Sequence, residues 1–332
     1  MGNRRWGLSL DLPGLSLADA APVIKAAEDA GYTDGWPGEV SAHDGFTPVV
    51  VAAMATERMR VGTGVVNVFT RGPGVLAQHA ASLQQLSRGR FALGIGSSSN
   101  VIVERWNGIP FERPRTRVRE AVEFLRAALA GERAGDGRFK LDLPPEQPVP
   151  IVIAALRERM LQTAGELGDG AFVNFLPLGS VDKVLEQIHA GEREAGKEKG
   201  STEVLARFFC LQGDAEQTRG MARWMFCAYA TVPVYEQFFR WLGYGDDIDP
   251  MIEAWRGGDR AKALELAPGD LIEDIFVLGD AATQRSRLEA YQAAGVDVPV
   301  LLIVPGGGPQ EHVGPDLYGR VVEELAPDGS AG

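Results

Sequence analysis

Apolar residues recur along this chain in two alternating patterns. Short, mostly continuous apolar runs stand at 6–12 (WGLSLDL), 32–36 (YTDGW), 59–66 (MRVGTGVV) and 90–96 (RFALGIG). Four more follow at 148–155 (PVPIVIAA), 170–176 (GAFVNFL), 204–211 (VLARFFCL) and 298–305 (VPVLLIVP). Runs that do not alternate polar with apolar are what parallel strands covered on both faces require. Between them, apolar residues recur at three- and four-residue spacing over 17–31, 73–89, 114–130, 157–167, 181–195 and 281–294, which predicts helices. Gly31 and Gly89 stand where helix C-caps are expected, and Pro73 stands at a first helical position. Strand and helix alternating around eight strands predict an α/β fold, a closed (β/α)8 TIM barrel, over an open doubly wound sheet.

The pattern lapses once, over 212–280. A helical stretch near 221–230, the aromatic run VYEQFFRWLGYG and an amphipathic segment at 252–266 follow one another with no convincing strand. A barrel carries this as a mainly helical insertion after its seventh strand, the largest insertion in the chain, and its aromatics serve either as its own small core or as a pocket wall. The expected organisation is one domain over 1–325, with 212–280 inserted in it and 326–332 a flexible tail. A chain of 332 residues with 45% apolar content has enough material for one large core.

A formal charge of −12 argues against nucleic acid and against an anionic membrane surface as partners. No apolar window reaches the about 20 residues of a membrane span, and the first residues lack the apolar stretch of a signal peptide. Trp6 stands where a myristoylation signal needs Ser or Thr. The default expectation is a cytoplasmic protein. The two cysteines, Cys210 and Cys227, form no CxxC pair, so neither a disulfide scaffold nor a structural zinc site is indicated. Cys210 in RFFC reads as a small buried hydrophobe.

Barrel sites are built at the C-terminal ends of the strands, and several candidate residues fall there. Gly64 and Val65 near the end of the third strand, with Asn67 and Thr70 beyond, permit close approach of a flat ligand or a tight corner. Gly94, Gly96, Ser97, Ser98, Ser99 and Asn100 follow the fourth strand, as an anion-cradling nest or a solvated turn. Asp11, Glu39, His43 and Asp44 lie at the ends of the first two strands. His79, His189 and His312 fall in helices or the tail, which leaves His43 as the best-placed titratable ring. Arg71, Arg105, Arg113, Arg157 and Arg159 cluster near rim loops, either to hold an anion, with Arg71 and Arg157 the leading candidates, or as salt bridges that tie loops together. GIGSSS lacks the third Gly of a dinucleotide fingerprint, and no phosphate loop, HExxH, EF-hand or GxSxG elbow occurs, so no metal site is expected.

The stretch GTGVVNVFTRGPGVLAQHAASLQQLSRGRFALGIGSSSNVIVERWNGIPFERP resembles the core signature of the bacterial luciferase-like superfamily, in particular its actinobacterial branch of coenzyme F420-dependent oxidoreductases. The resemblance continues through GYTDGWPGEV, PIVIAALRERMLQTAGELGDGAFVNFL and VLGDAATQRSRLEAYQAAGV, most of the chain. It implies a barrel holding a deazaflavin or flavin at its C-terminal mouth, with a non-prolyl cis peptide at the end of the third strand, here Gly64–Val65, behind the ring. By position it places Glu39 near the cofactor head and Asn67 beside the ring. It sets Gly96, Ser97 and Ser98 at the cofactor's border, Ala155, Leu156 and Arg157 along its ribityl chain and phosphate, and Asn174 on the same side. Some relatives carry a His directly after the acidic residue of the second strand, where this chain has Val40. Glu39, His43 and Glu104 are then the candidate proton carriers. The implied activity is hydride transfer between F420 and a small organic substrate. The alternative is an FMN-dependent monooxygenase that uses O2 and a partner reductase, and a barrel that only binds cofactor is a third reading. A homodimer is also implied.

Overall fold

In a computed structural model, residues 5–306 and 313–327 are described. The strands are β1 (Gly7–Leu8), β2 (Asp34–Gly35), β3 (Arg60–Gly62), β4 (Val66–Asn67), β5 (Phe91–Gly96), β6 (Ile151–Ala154), β7 (Gly170–Asn174), β8 (Glu203–Leu211) and β9 (Val298–Val304). All pair in parallel in the order β3-β2-β1-β9-β8-β7-β6-β5-β4, and a further β3–β5 pairing closes the ring. β3 and β4 form one interrupted stave, so the sequence's eight strands are the eight staves of a TIM barrel.

The interruption has a local cause in the sequence. Register runs from Gly62 opposite Ala92 to Val66 opposite Ile95, so the stave carries one residue more than its partner. The extra length is taken up at 63–65, where Gly64–Val65 is a cis peptide bond. Thr63 fastens the detour through its hydroxyl, which donates to the Gly94 carbonyl at 2.7 Å and accepts from the Gly94 N–H at 2.8 Å. A Cβ on residue 94 would lie 1.8 Å from the Thr63 carbonyl oxygen, which only Gly permits.

The surrounding helices are α1 (Ala20–Asp29), α2 (Thr47–Ala55), α3 (Pro73–Leu86), α4 (Pro114–Leu129), α5 (Glu158–Leu167), α6 (Val181–Glu194), then α7 (Ala215–Ala230), α8 (Pro233–Leu242), α9 (Gly245–Arg256), α10 (Arg260–Leu266) and α11 (Gly269–Ile275), and finally α12 (Ala281–Ala293) and α13 (Pro315–Glu324). The helices expected from periodicity are present, and α7–α11 occupy the stretch between β8 and α12 without a strand. α2, for which no helix is predicted, starts under an Asp44 cap that accepts from the Phe46 N–H at 2.8 Å and the Thr47 N–H at 3.0 Å. A π-helix at Val101–Trp106 also has no counterpart in the sequence reading.

Inward side chains Trp36, Ala92, Val152, Phe172, Leu205, Val298 and Val300 fill the barrel as a core distinct from the larger one between strands and helices. Its N-terminal end is closed by Asp34, fully buried, which binds Arg5 at 2.8 Å and Arg60 at 2.5 Å, while Arg60 also reaches Glu203 at 2.8 Å. Cys210 and Cys227 are buried, and burial pushes both thiols up, Cys227 to about 11. Of the expected tail, Ala326 and Pro327 are buried, and 328–332 lie outside the described residues, as does His312. Among the described residues no helix is long and apolar enough to cross a membrane, and no group of His, Cys, Asp and Glu is placed to hold a metal.

Candidate active site

At the C-terminal end of the barrel opens a cavity of about 940 Å³, within the size of a cofactor or ligand site. One wall is Gly64, Val65 and Asn67. Asn67 is buried and its side-chain oxygen accepts from the Phe69 N–H at 3.1 Å, the Thr70 N–H at 2.8 Å and the Thr70 hydroxyl at 2.9 Å, so it shapes the turn after β4, while its amide NH2 has no hydrogen-bond partner among the described residues. The loop after β5 contributes Ser97, Ser98, Ser99 and Asn100, with Ser98 turned by a left-handed φ of 61°. Ala155, Leu156 and Arg157 enter from the loop after β6, and Phe172 and Asn174 from β7.

Gly96 is the exception among the residues expected at the cofactor. It is buried and does not line the cavity; a Cβ there would sit 2.9 Å from that of Ala154 and 3.0 Å from Val65. Its part is to let the stave pack behind the wall.

The three expected proton carriers are not gathered at the cavity. Glu39 lines it, but its carboxylate is half-buried and held by both Arg71 Nη atoms, one at 2.7 Å, and by the Gly45 N–H at 2.9 Å. That pairing is the loop-tying salt bridge expected as the alternative for Arg71, which does not line the cavity. His43 is exposed and outside the lining. Glu104 is exposed on the π-helix and accepts from the Phe111 N–H at 3.1 Å, again outside the lining. Asp44 is the α2 cap; burial opposes its ionisation, but the Thr47 hydroxyl and the N–H groups of Phe46 and Thr47 hold the carboxyl below its ordinary value.

Arg157 and Arg159 do reach the cavity, where Arg115 joins them. Arg115 is fixed by its Nε, which donates to the Thr163 hydroxyl at 2.8 Å. Arg157 begins α5, and no side chain caps that helix. Arg115, Arg157, Arg159 and the uncapped start of α5 thus all belong to the lining, together with Glu158 of the first turn, and the cationic excess and free N–H groups suit a phosphate.

Residues from β8 and from the helices after it complete the lining, Arg207 and Tyr229 with no sequence signal and Tyr235 and Trp241 from the aromatic run. Arg207 of β8 is buried, and its Nη2 donates to the Gly64 carbonyl at 2.7 Å and the Trp36 carbonyl at 3.2 Å. Its Nη1 lies 3.9 Å from Asp11, and its guanidinium sits 5.3 Å from the centre of the Phe172 ring. Gly38 makes room for it, since a Cβ there would be 2.8 Å from Nη1. One Arg inside an apolar strand run gave no cue that it would face a site. From the helices after β8, Tyr229, Val232, Tyr235 and Trp241 also line the cavity. Tyr229 and Tyr235 pack 4.8 and 5.0 Å from the ring of Phe175, and the Asn174 amide donates to the Tyr235 hydroxyl at 3.4 Å. The aromatic run thus serves both as core and as pocket wall.

Known proteins share this fold. A Mycobacterium tuberculosis chain, provisionally named a coenzyme F420-dependent oxidoreductase, is 26% identical over 320 residues, covering 88% of this chain and 91% of its own length. The coenzyme F420-dependent tetrahydromethanopterin reductase from Methanopyrus kandleri superposes with a TM-score of 0.76 at 24% identity, covering 97% of this chain and 96% of that one. The oxygenating constituent of 3,6-diketocamphane monooxygenase from Pseudomonas putida, solved with FMN, superposes with a TM-score of 0.67 at 18% identity, covering 97% and 96%. The profile of the luciferase-like monooxygenase family matches residues 5–298. On that match, the chain belongs to the luciferase-like monooxygenase family.

Proposed function

We propose that this protein is an F420-dependent oxidoreductase that transfers a hydride between the deazaflavin and a small organic substrate. The observation that carries the reading is the one cavity onto which Gly64–Val65, Ser97–Ser99 and Ala155–Arg157 converge, with Arg115, Arg157 and Arg159 in its lining. The residues fit a flat, phosphorylated cofactor: a wall without bulky side chains for the ring and a cationic helix start for the phosphate. When bound, a deazaflavin supplies a ring carbon that gives or takes hydride. The chain's part is to hold the ring against residues 64–65, to bind the phosphate through α5, and to exclude water with the aromatic side chains of α7 and α8.

The similarity to F420-dependent relatives favours the deazaflavin over FMN. Titrating the purified protein with F420 and with FMN, followed by fluorescence, tests the choice. F420 is expected to bind with a Kd in the micromolar range or below, on the order of −8 kcal/mol, and to be turned over anaerobically with a panel of enones, aldehydes and alcohols. Tight retention of FMN with no F420 binding would overturn the reading in favour of an O2-using monooxygenase fed by a reductase.

The same reading takes the protein to work in the cytoplasm as a homodimer. Supporting self-association, α2 leaves Val50 and Met54 exposed, and α3 exposes Val75 and Leu86.

A further inference from the structure

Hydride transfer to a carbonyl needs a proton at the oxygen, and the acids anticipated from the sequence do not supply one. Glu39 is committed to Arg71 and the Gly45 N–H, while His43 and Glu104 stand outside the cavity. Besides the three serines, the cavity-lining O–H groups are the phenols of Tyr229 and Tyr235. Tyr235 is engaged by the Asn174 amide. Tyr229, in the last turn of α7, has no hydrogen-bond partner for its hydroxyl among the described residues, although its ring is fixed against Phe175, Phe209 and Tyr235.

We propose that Tyr229 is the catalytic proton donor of this site, that Arg207 is the positioning cation that holds the charge left on its oxygen, and that the site is built to reduce an uncharged, largely apolar aldehyde, ketone or enone. This inference rests on the hydride-transfer reading above. Burial holds the Tyr229 phenol above its ordinary value; among its charged neighbours Arg207 of β8 favours ionisation and Asp11 beyond β1 opposes it. Tyr235 of α8, the other titratable ring against it, is pushed up to about 12 by burial. The donor is therefore loaded at neutral pH, which suits reduction; alcohol oxidation would need the phenolate at the start. The apolar side chains of the lining, Phe172, Val232, Val234 and Trp241, suit an uncharged substrate.

The balance is simple. The carbonyl carbon, or the β-carbon of an enone, accepts hydride from reduced deazaflavin, and the C=O or C=C π bond breaks. The oxygen of the resulting alkoxide or enolate takes the Tyr229 proton. The phenolate, in the cavity that Arg207 also lines, regains a proton from water on product release.

Two measurements test this. In cofactor-free protein labelled with 13Cζ-tyrosine, the Tyr229 signal, assigned by its loss in Tyr229→Phe, should titrate above pH 10. It should move up in Arg207→Met and stay near its wild-type position in Arg207→Lys. A titration indifferent to Arg207→Met would overturn the pairing. With the fastest carbonyl compound of the panel, Tyr229→Phe should lower kcat by about 10²–10⁴-fold, leave F420 affinity within about twofold, and abolish the alkaline loss of rate that coincides with the NMR titration. Wild-type kcat in Tyr229→Phe, or an unchanged alkaline limb, overturns the donor assignment. Failure of F420 to bind would instead remove the function proposed above, and the NMR titration would still accept or reject the Tyr229–Arg207 pair.

Discussion

At the scale of single residues, what a side chain can do here is set by what already holds it. Glu39 and Arg71 were both legible as chemistry-bearing types near strand ends, and in the fold they neutralise each other, with side-chain exposures of 13% and 20%. The two are 32 positions apart in sequence, so no local spacing could reveal the pair. Removing one partner strands the other as a half-buried, unpaired charge, whereas removing both does not. Arg71→Met and Glu39→Gln should each destabilise the protein by about 1–3 kcal/mol, and the double variant should cost less than their sum. Urea unfolding of the four proteins measures this, and additivity of the two losses would contradict the pairing. Arg207 shows the opposite case. Its role comes from the carbonyls of Trp36 and Gly64 and the slot beside Gly38, none near it in the chain.

At the scale of elements, periodicity located all eight staves and most helices, because parallel strands and amphipathic helices write different periods into the sequence. It missed α2 for a physical reason: nine residues, TPVVVAAMA, are short, β-branched and apolar on nearly every side, so they show no stripe. It also could not see how elements are tied. Glu28 of α1 accepts N–H bonds from Glu57 at 3.0 Å, Arg58 at 2.7 Å and Met59 at 2.8 Å, fixing the entry to β3 and so the stave that bears residues 64–67. Burial opposes its ionisation, but these N–H bonds prevail and its pKa lies below the ordinary 4.5. A depressed carboxyl contributes stability above its unfolded pKa and loses it as pH falls through the folded value. Glu28→Gln should therefore cost about 1–3 kcal/mol at pH 7 and flatten the fall in Tm below about pH 4.5. Parallel Tm curves for wild type and variant across that acid range would refute the linkage.

At the scale of the whole molecule, the exposed apolar side chains of α2 and α3 bear on assembly. Met54 is 69% exposed, Val75 47% and Val50 39%, side chains that a partner surface would cover. Sedimentation should give twice the 35.7 kDa chain mass, and Met54→Glu should shift the protein toward monomer with its far-UV signal unchanged. A wild-type monomer at micromolar concentration would remove the dimer from the account. Composition, the strand and helix periods and the Gly-rich strand ends on their own specified an acidic α/β barrel with Gly-rich loops at its C-terminal mouth, because burial patterns and turn chemistry are local and survive in one dimension. Only the tertiary structure decided which side chains face that mouth. It paired Glu39 with Arg71, left His43 and Glu104 outside the lining, and brought Arg207 and Tyr229 in, because closing a barrel joins residues by stave and register, whatever their distance along the chain.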